Sequence, residues 1–243
     1  MEKRNYINGS FIKSISNETI SVVNPANQTI VGYIDAALDD EVDLAFSAAS
    51  RAFKSRLLLD MDTSVKEKMM RSIASKIRDY TKIGSEILSQ ENGKTLEQCA
   101  GEFEGAAKIF DYYAGLNDKI ENKLIPSGKD TFNYVSLEPF GVSLQIIPWN
   151  YPISLFARSV AVSLVIGNTI VVKPPELCPL ASNLFGQIFS EVGVPKGILN
   201  IVHGYGDITG RKLVDNAAVS QVVFTGSQRV ASEILKRTAD RII

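Results

Sequence analysis

The chain is poor in the residues that stabilise small secreted proteins and build metal centres. It has two cysteines, Cys99 and Cys178, and one histidine, His203, in 243 residues. Two cysteines cannot form a disulfide framework, and so little Cys and His gives no sign of a metal site. Charge of either sign is not in excess: the net value is −1, which leaves no electrostatic footprint for nucleic acid or an anionic membrane. No apolar run approaches the ~18 residues that would suggest a membrane span. The opening Met1-Glu2-Lys3-Arg4-Asn5-Tyr6 leads into no apolar core, which argues against a signal peptide. Internal repeats and low-complexity stretches are also missing. What remains is an ordinary globular composition, 45% hydrophobic and 22% charged, with a cytoplasmic location as the default expectation.

The pattern changes near residue 140. Before it, the signals are mainly helical, after short strand-like pieces at Phe11-Ile12 and Ile20–Val23 and a turn at Asn24-Pro25-Ala26-Asn27. A first helix is expected from Asp39-Asp40, whose carboxylates suit a helix N-terminus. A second carries Val65, Met69, Ile73, Ile77, Tyr80 and Ile87 at near-helical spacing. A third follows Gly93 with Leu96, Cys99, Phe103, Ala107, Phe110 and Ala114 on one stripe. Residues 126–130 read as the turn of a long hairpin whose second arm runs from Thr131 to Leu137.

Beyond residue 140 the chain alternates. Apolar strands are expected at 142–147, 169–172, 198–202 and 221–224, each followed by a helical segment, roughly 153–166, 179–192, 207–217 and 228–240. Strands this apolar are buried on both faces, and the alternation implies an α/β, doubly wound parallel sheet. Residues 240–243 read as the start of a fifth strand, so the chain reads as truncated there. The expected division is an N-terminal helical part over 1–118, a β-hairpin over 119–140, and a nucleotide-binding α/β unit over 141–243.

Ligands of such sheets bind beyond the C-terminal ends of the strands. Four turns occupy that edge: Pro148-Trp149-Asn150-Tyr151-Pro152, Lys173-Pro174-Pro175-Glu176, residues 203–210, and Thr225-Gly226-Ser227. The usual glycine fingerprint after the first strand is missing. The run Gly204-x-Gly206-x-x-x-Gly210 follows the third strand instead and is one residue too long.

Taken together, the four turns resemble the aldehyde dehydrogenase superfamily in order and spacing. The stretches Gly167–Glu176, Gly193–Val202, Phe224–Ser227, Asn24-Pro25-Ala26, Ala45–Phe53 and Glu91-Asn92-Gly93-Lys94-Thr95 fit the same pattern, so the resemblance covers essentially the whole chain. It implies oxidation of an aldehyde to a carboxylic acid with NAD, NADP being less favoured. Asn150 matches the family's oxyanion-hole asparagine, a donor that typically stabilises the tetrahedral intermediate by ~3 kcal/mol; alternatively it is a turn asparagine capping the helix near residue 153. Lys173 and Glu176 match the adenosine-ribose ligands, a carboxylate there favouring NAD by repelling a 2′-phosphate; otherwise they are a solvated surface pair. Gly226 and Ser227 open a helix that can hold the pyrophosphate. Gly206 and Gly210 would admit the adenine half, unless they are ordinary turn glycines. Ile146, Ile147, Pro148 and Trp149 would line the nicotinamide side while also packing the core. Phe224, Thr225 and Val230 complete the implied cofactor contacts.

Some positions depart from the pattern. Ala231 replaces a glycine, Gln228 a small residue and Ser159 a frequent lysine, and Leu57 and Leu58 lie near a frequent tryptophan. The family's catalytic glutamate, in a Glu-Leu-Gly-Gly segment, and its nucleophilic cysteine follow later than Ile243, so the catalytic domain is expected to be absent and the chain inactive alone. Neither Cys99 nor Cys178 matches the nucleophile; Cys99 belongs to an apolar stripe, and a Cys178–His203 thiol pair is a minor alternative. Three readings follow: an enzyme fragment of this family, a non-catalytic nucleotide-binding or interaction protein that pairs with a full-length relative, or a stretch cut from a normal enzyme. The hairpin resembles the family's oligomerisation flap, which implies a homo-oligomer in the intact enzyme.

Overall fold

A computed structural model describes residues 2–15, 17–241 and 243. In chain order its elements are β1 (Glu2–Lys3), β2 (Asn5–Ile7), β3 (Ser10–Ile12), β4 (Thr19–Val23), β5 (Ile30–Asp35), α1 (Asp39–Lys54), α2 (Thr63–Asp79), α3 (Thr81–Asn92), α4 (Leu96–Leu116), β6 (Lys123–Ile125), β7 (Asn133–Val135), β8 (Val142–Ile146), α5 (Pro152–Ile166), β9 (Thr169–Lys173), α6 (Leu184–Val192), β10 (Leu199–Ile201), a π-turn (Gly206–Gly210), α7 (Arg211–Asp215), β11 (Val219–Phe224) and α8 (Gln228–Thr238).

The central sheet has the order β11-β8-β9-β10-β2-β3. Its first four strands are parallel, as the apolar runs predict, and β2 and β3 extend it antiparallel beyond β10. β8 and β9 are almost wholly buried, which explains why their sequences show no alternation. Helices α5 and α6 cover one face together with α2 and α4, and that layer is the main apolar core. Stacking of Phe156 on Phe185, 4.2 Å between ring centroids, joins α5 to α6. On the other face α1 and α7 lie against Val142, Leu144, Val171 and Val202. Buried side chains of this size contribute about 1.5–3 kcal/mol each. The chain order β8, β9, β10 runs one way from β8 and β11 lies on its other side, so the topological switch point falls between β8 and β11.

Several expectations need correction. The second predicted helix is two helices, because Tyr80 (φ −86°, ψ −3°) ends α2 and begins α3. Its buried stripe is Lys66, Met70, Ile73, Ala74 and Ile77, while Val65 is 54% exposed. The helix after β9 starts at Leu184 rather than 179, and a π-turn precedes a shorter α7. β1, β2 and β5 are strands that the sequence pattern does not predict; β1 and β2 have two and three residues, β2 is buried without alternation, and β5 has six. Of the expected fifth strand, Ile242 lies outside the described residues, and Asp240 and Arg241 form a turn and a bend. β6 and β7 pair antiparallel around residues 126–132 and are exposed throughout.

Candidate functional site

Three strands end in one row at the C-terminal edge of the sheet. Phe224 of β11 is in register with Ile146 of β8, and Ile146 with Lys173 of β9. Ile147 extends the row by donating its N–H to the Lys173 carbonyl at 3.0 Å. The sequence-predicted site residues therefore start from neighbouring strand ends on both sides of the switch point.

Beyond β9, Lys173 is buried, at 2% exposure, and is no solvated surface residue. Its Nζ donates to Glu176 Oε2 at 2.9 Å and to the Pro174 carbonyl at 3.1 Å. Glu176 Oε1 accepts the Gly206 N–H at 3.3 Å. Burial pushes the Lys173 pKa down, partly offset by Glu176. Burial works upward on Glu176, but Lys173 and the backbone amides, Gly206 among them, outweigh it and hold the carboxyl below its ordinary value. The result is a fixed carboxylate that is still a third exposed, a suitable acceptor for vicinal hydroxyls.

Gly206 and Gly210 border this pair. A Cβ on Gly206 would stand 3.7 Å from Glu176 Oε1, and one on Gly210 would stand 3.6 Å from Lys173 Cδ. Both are ordinary van der Waals contacts, so neither position is sterically closed to a methyl group; Gly206 is exposed and Gly210 is buried. Gly204 is different: its φ is +155°, and a Cβ would lie 1.9 Å from Thr209 Oγ1.

Beyond β11, Ser227 caps α8 by accepting the Val230 N–H at 3.4 Å. Thr225, Gly226 and Ser227 are exposed, Phe224 and Val230 are half-buried, and the first turn of α8 carries no acidic residue. This exposed helix N-terminus suits an anionic group.

Beyond β8, Ile147 is buried, Ile146 and Pro148 are half-buried, and Trp149 and Asn150 are exposed. Asn150 does not cap α5; its Oδ1 accepts the adjacent Tyr151 N–H at 3.0 Å, and Tyr151 is the N-cap without a side-chain bond. The turn is braced from α3 and α4. Asn92 Nδ2 donates to the Trp149 carbonyl at 2.7 Å, and Lys94 stands 3.9 Å from the centroid of the Tyr151 ring. Glu102, paired with Lys94, accepts the N–H groups of Ile153 (3.2 Å) and Ser154 (3.3 Å). Glu91 accepts the N–H groups of Leu180 (2.6 Å) and Ala181 (2.8 Å) and so holds the loop after β9.

Sequence reading gave these bracing residues no role. One signal was present: Glu102 lies three residues after Cys99 and beside Phe103, on the apolar stripe of its own helix, where a charge needs a partner.

Neither thiol is placed to react. Burial pushes Cys99 up to about 11 and Cys178 up to about 12, with Glu102 and Glu91 respectively adding to the shift. Cys178 contacts Asn92 and the Trp149 carbonyl, whereas the His203 Nε2 contacts Asn183 Nδ2 at 2.9 Å. The structure does not bring Cys178 and His203 together as a thiol pair.

Comparison with known proteins gives a consistent result. The family model described as "Aldehyde dehydrogenase family" matches residues 11–243. An "Aldehyde dehydrogenase" of Davidiella tassiana is 33% identical over 234 residues, which is 96% of this chain and 47% of that protein. The solved NAD+ complex of an aldehyde dehydrogenase from Bacillus cereus superposes with a TM-score of 0.96 at 32% identity, covering 99% of this chain and 49% of that one. A 3,6-anhydro-L-galactose dehydrogenase solved in complex with NADP superposes at 0.94 with 29% identity, covering 99% and 50%. The chain spans about half the length of the relatives it matches.

Proposed function

This chain belongs to the aldehyde dehydrogenase family, and from that premise we propose that it supplies the NAD platform and the oxyanion donor for oxidation of an aldehyde to a carboxylic acid. The observation that carries the proposal is the row Phe224–Ile146–Lys173 at the sheet edge, flanked by the Glu176 carboxylate and the exposed start of α8.

The residues fit the cofactor on their own chemistry. Glu176 accepts the adenosine-ribose hydroxyls, and Lys173 keeps that carboxylate ionised and in place. The first amides of α8, with Gly226 and Ser227, take the pyrophosphate. The exposed turn at Gly206, with Gly210 packed behind it, lets the adenine half approach the backbone. Ile146, Ile147, Pro148 and Trp149 form the wall toward the nicotinamide, and Phe224, Thr225 and Val230 complete the cofactor contacts. When bound, NAD supplies the hydride acceptor. Asn150 Nδ2 donates to the substrate oxygen as negative charge develops on it. The attacking thiolate is neither Cys99 nor Cys178, because both are buried with raised pKa values.

Calorimetric titration of the chain with NAD tests this. Saturable binding that is lost in Lys173→Met is expected, and absence of binding would overturn the platform. NADP is expected to bind more weakly, because the Glu176 carboxylate opposes a 2′-phosphate. Equal affinity would remove that preference.

The hairpin favours a second, compatible reading, association with another copy or a full-length relative. Leu124 on β6, Tyr134 on β7, and Phe132 and Leu137 flanking β7 are each more than 60% exposed. Sedimentation of the chain at rising concentration, with Leu124→Glu as control, tests it; a monomer throughout would sink it.

A further inference from the structure

Glu102 takes part in a contact that its sequence neighbours do not foreshadow. It lies on α4, 4% exposed, yet its Oε2 accepts from Ile153 N and Ser154 N of α5. These are the first amides of α5 able to donate, because Pro152 opens the helix and has no N–H. Tyr151, the N-cap residue, offers no side-chain bond. A carboxylate from a neighbouring helix therefore caps α5, its charge set against the positive helix end.

The same carboxylate reaches the turn before α5. Its Oε1 pairs with Lys94 Nζ, which stands over the Tyr151 ring. Two residues earlier, Asn92 holds the Trp149 carbonyl. Gly93 between them is left-handed (φ +83°), which lets Asn92 and Lys94 approach one turn, and a Cβ there would meet Pro25 Cγ at 2.9 Å. Trp149 and Tyr151, the neighbours of Asn150, are thus each fixed by this group, while the Asn150 side chain bonds only the adjacent Tyr151 N–H among the described residues.

We infer that Glu102, acting through Lys94, is a positioning residue that orients the Asn150 amide for its role as oxyanion donor. The inference rests on the proposed function for what Asn150 does, and on the network alone for how Asn150 is held. An oxyanion donor is effective only when it is fixed before charge develops, so a buried ion pair behind an exposed asparagine has a catalytic use beyond helix capping.

The test uses the isotopically labelled 243-residue chain. The side-chain amide resonances of Asn150 are identified by their loss in Asn150→Asp. Hydrogen exchange is followed at Ile153 and Ser154. In Glu102→Gln and in Lys94→Met the Asn150 amide signals are expected to shift or broaden, and Lys94→Arg is expected to restore them. In Glu102→Gln, protection at Ile153 and Ser154 is expected to fall roughly fivefold, the factor for a cap of ~1 kcal/mol. If exchange rises there while the Asn150 signals stay unchanged, Glu102 is a helix cap only and the inference is overturned. Unchanged signals in both variants overturn it as well. Should Glu102→Gln not fold, Lys94→Met, which leaves the Glu102 cap in place, carries the test. NAD calorimetry on the unaltered chain is separate, so a failed function reading is distinguishable from a failed positioning reading.

Discussion

Lys173 and Glu176 form a buried ion pair across one turn, Nζ to Oε2 2.9 Å, with only the carboxylate side open to solvent. The arrangement leaves Glu176 ionised and able to accept further hydrogen bonds. Glu176→Gln keeps the shape and removes the charge. Lys173 then loses its paired carboxylate and keeps only neutral hydrogen-bond acceptors, the Pro174 carbonyl among them, for its buried ammonium. NAD affinity is expected to fall roughly 10- to 100-fold, the range for hydrogen bonds to a charged group. Calorimetry reads this directly, and unchanged affinity would remove Glu176 from the site. The pH dependence has a definite sign. Because the folded pKa of Glu176 lies below the ordinary 4.5, its contribution to stability is present above that value and is lost as pH falls through the folded pKa.

Much of this site was legible because strand ends announce themselves. The apolar runs of β8, β9 and β11 place Ile146, Lys173 and Phe224 at strand ends, and an open parallel sheet puts ligands there. The bracing residues were not legible for a different reason. Glu102 reaches Ile153 across 51 positions of sequence, and Glu91 reaches Leu180 across 89. No local pattern encodes such pairings. The split between α2 and α3 was hidden because the apolar spacing continues through Tyr80, while the backbone there stops the hydrogen-bond ladder. β2 escaped notice because three buried residues show no period.

His203 is the chain's only histidine, so its titration is observable without assignment. Burial, with the nearby Lys173 charge, pushes its pKa down from 6.5 to about 3. Asn183 donates to Nε2, which fixes the neutral form with the proton on Nδ1. Below pH 6.5 the unfolded chain takes up a proton there that the folded chain refuses. Stability is therefore lost as pH falls from 6.5 toward 3, by about 2 kcal/mol between pH 6.5 and 5 from this group. The imidazole resonance is expected to stay constant from pH 8 to 5, and His203→Gln to flatten the acid side of a denaturant-monitored stability curve. An imidazole that titrates near 6.5 would falsify this burial argument.

Cys99 and Cys178 are expected to be silent toward thiol reagents in the folded chain and to react fully once it is unfolded. Their burial and raised pKa values leave almost no thiolate at neutral pH. With no other cysteine in the chain, NADH is not expected to form when the chain alone is mixed with NAD and an aldehyde. A thiol-reagent count on native and denatured protein checks the first point, and NADH absorbance the second. Rapid labelling of Cys178 in the native state, or NADH production abolished by alkylation, would contradict the assignment.

Gly204 and Gly206 are neighbours in the same turn with opposite demands, and their alanine variants are expected to separate stability from binding. Gly204 has a φ of +155°, and a Cβ there would lie 1.9 Å from Thr209 Oγ1 and 2.4 Å from Thr209 Cβ. Thr209 cannot retreat freely, because it is buried and its hydroxyl donates to the Ala37 carbonyl at 2.8 Å. Gly204→Ala is therefore expected to cost ~3 kcal/mol or more, combining backbone strain with steric overlap. Gly206 has neither constraint, since its nearest contact for an added Cβ is Glu176 Oε1 at 3.7 Å. Gly206→Ala is expected to remain within ~1 kcal/mol of the parent chain. Its methyl group would occupy the space beside the Lys173–Glu176 pair, so NAD affinity is expected to drop while the melting temperature holds. If Gly206→Ala binds NAD as tightly as the parent, the adenosine half does not approach this turn, and the open space there belongs to the loop alone.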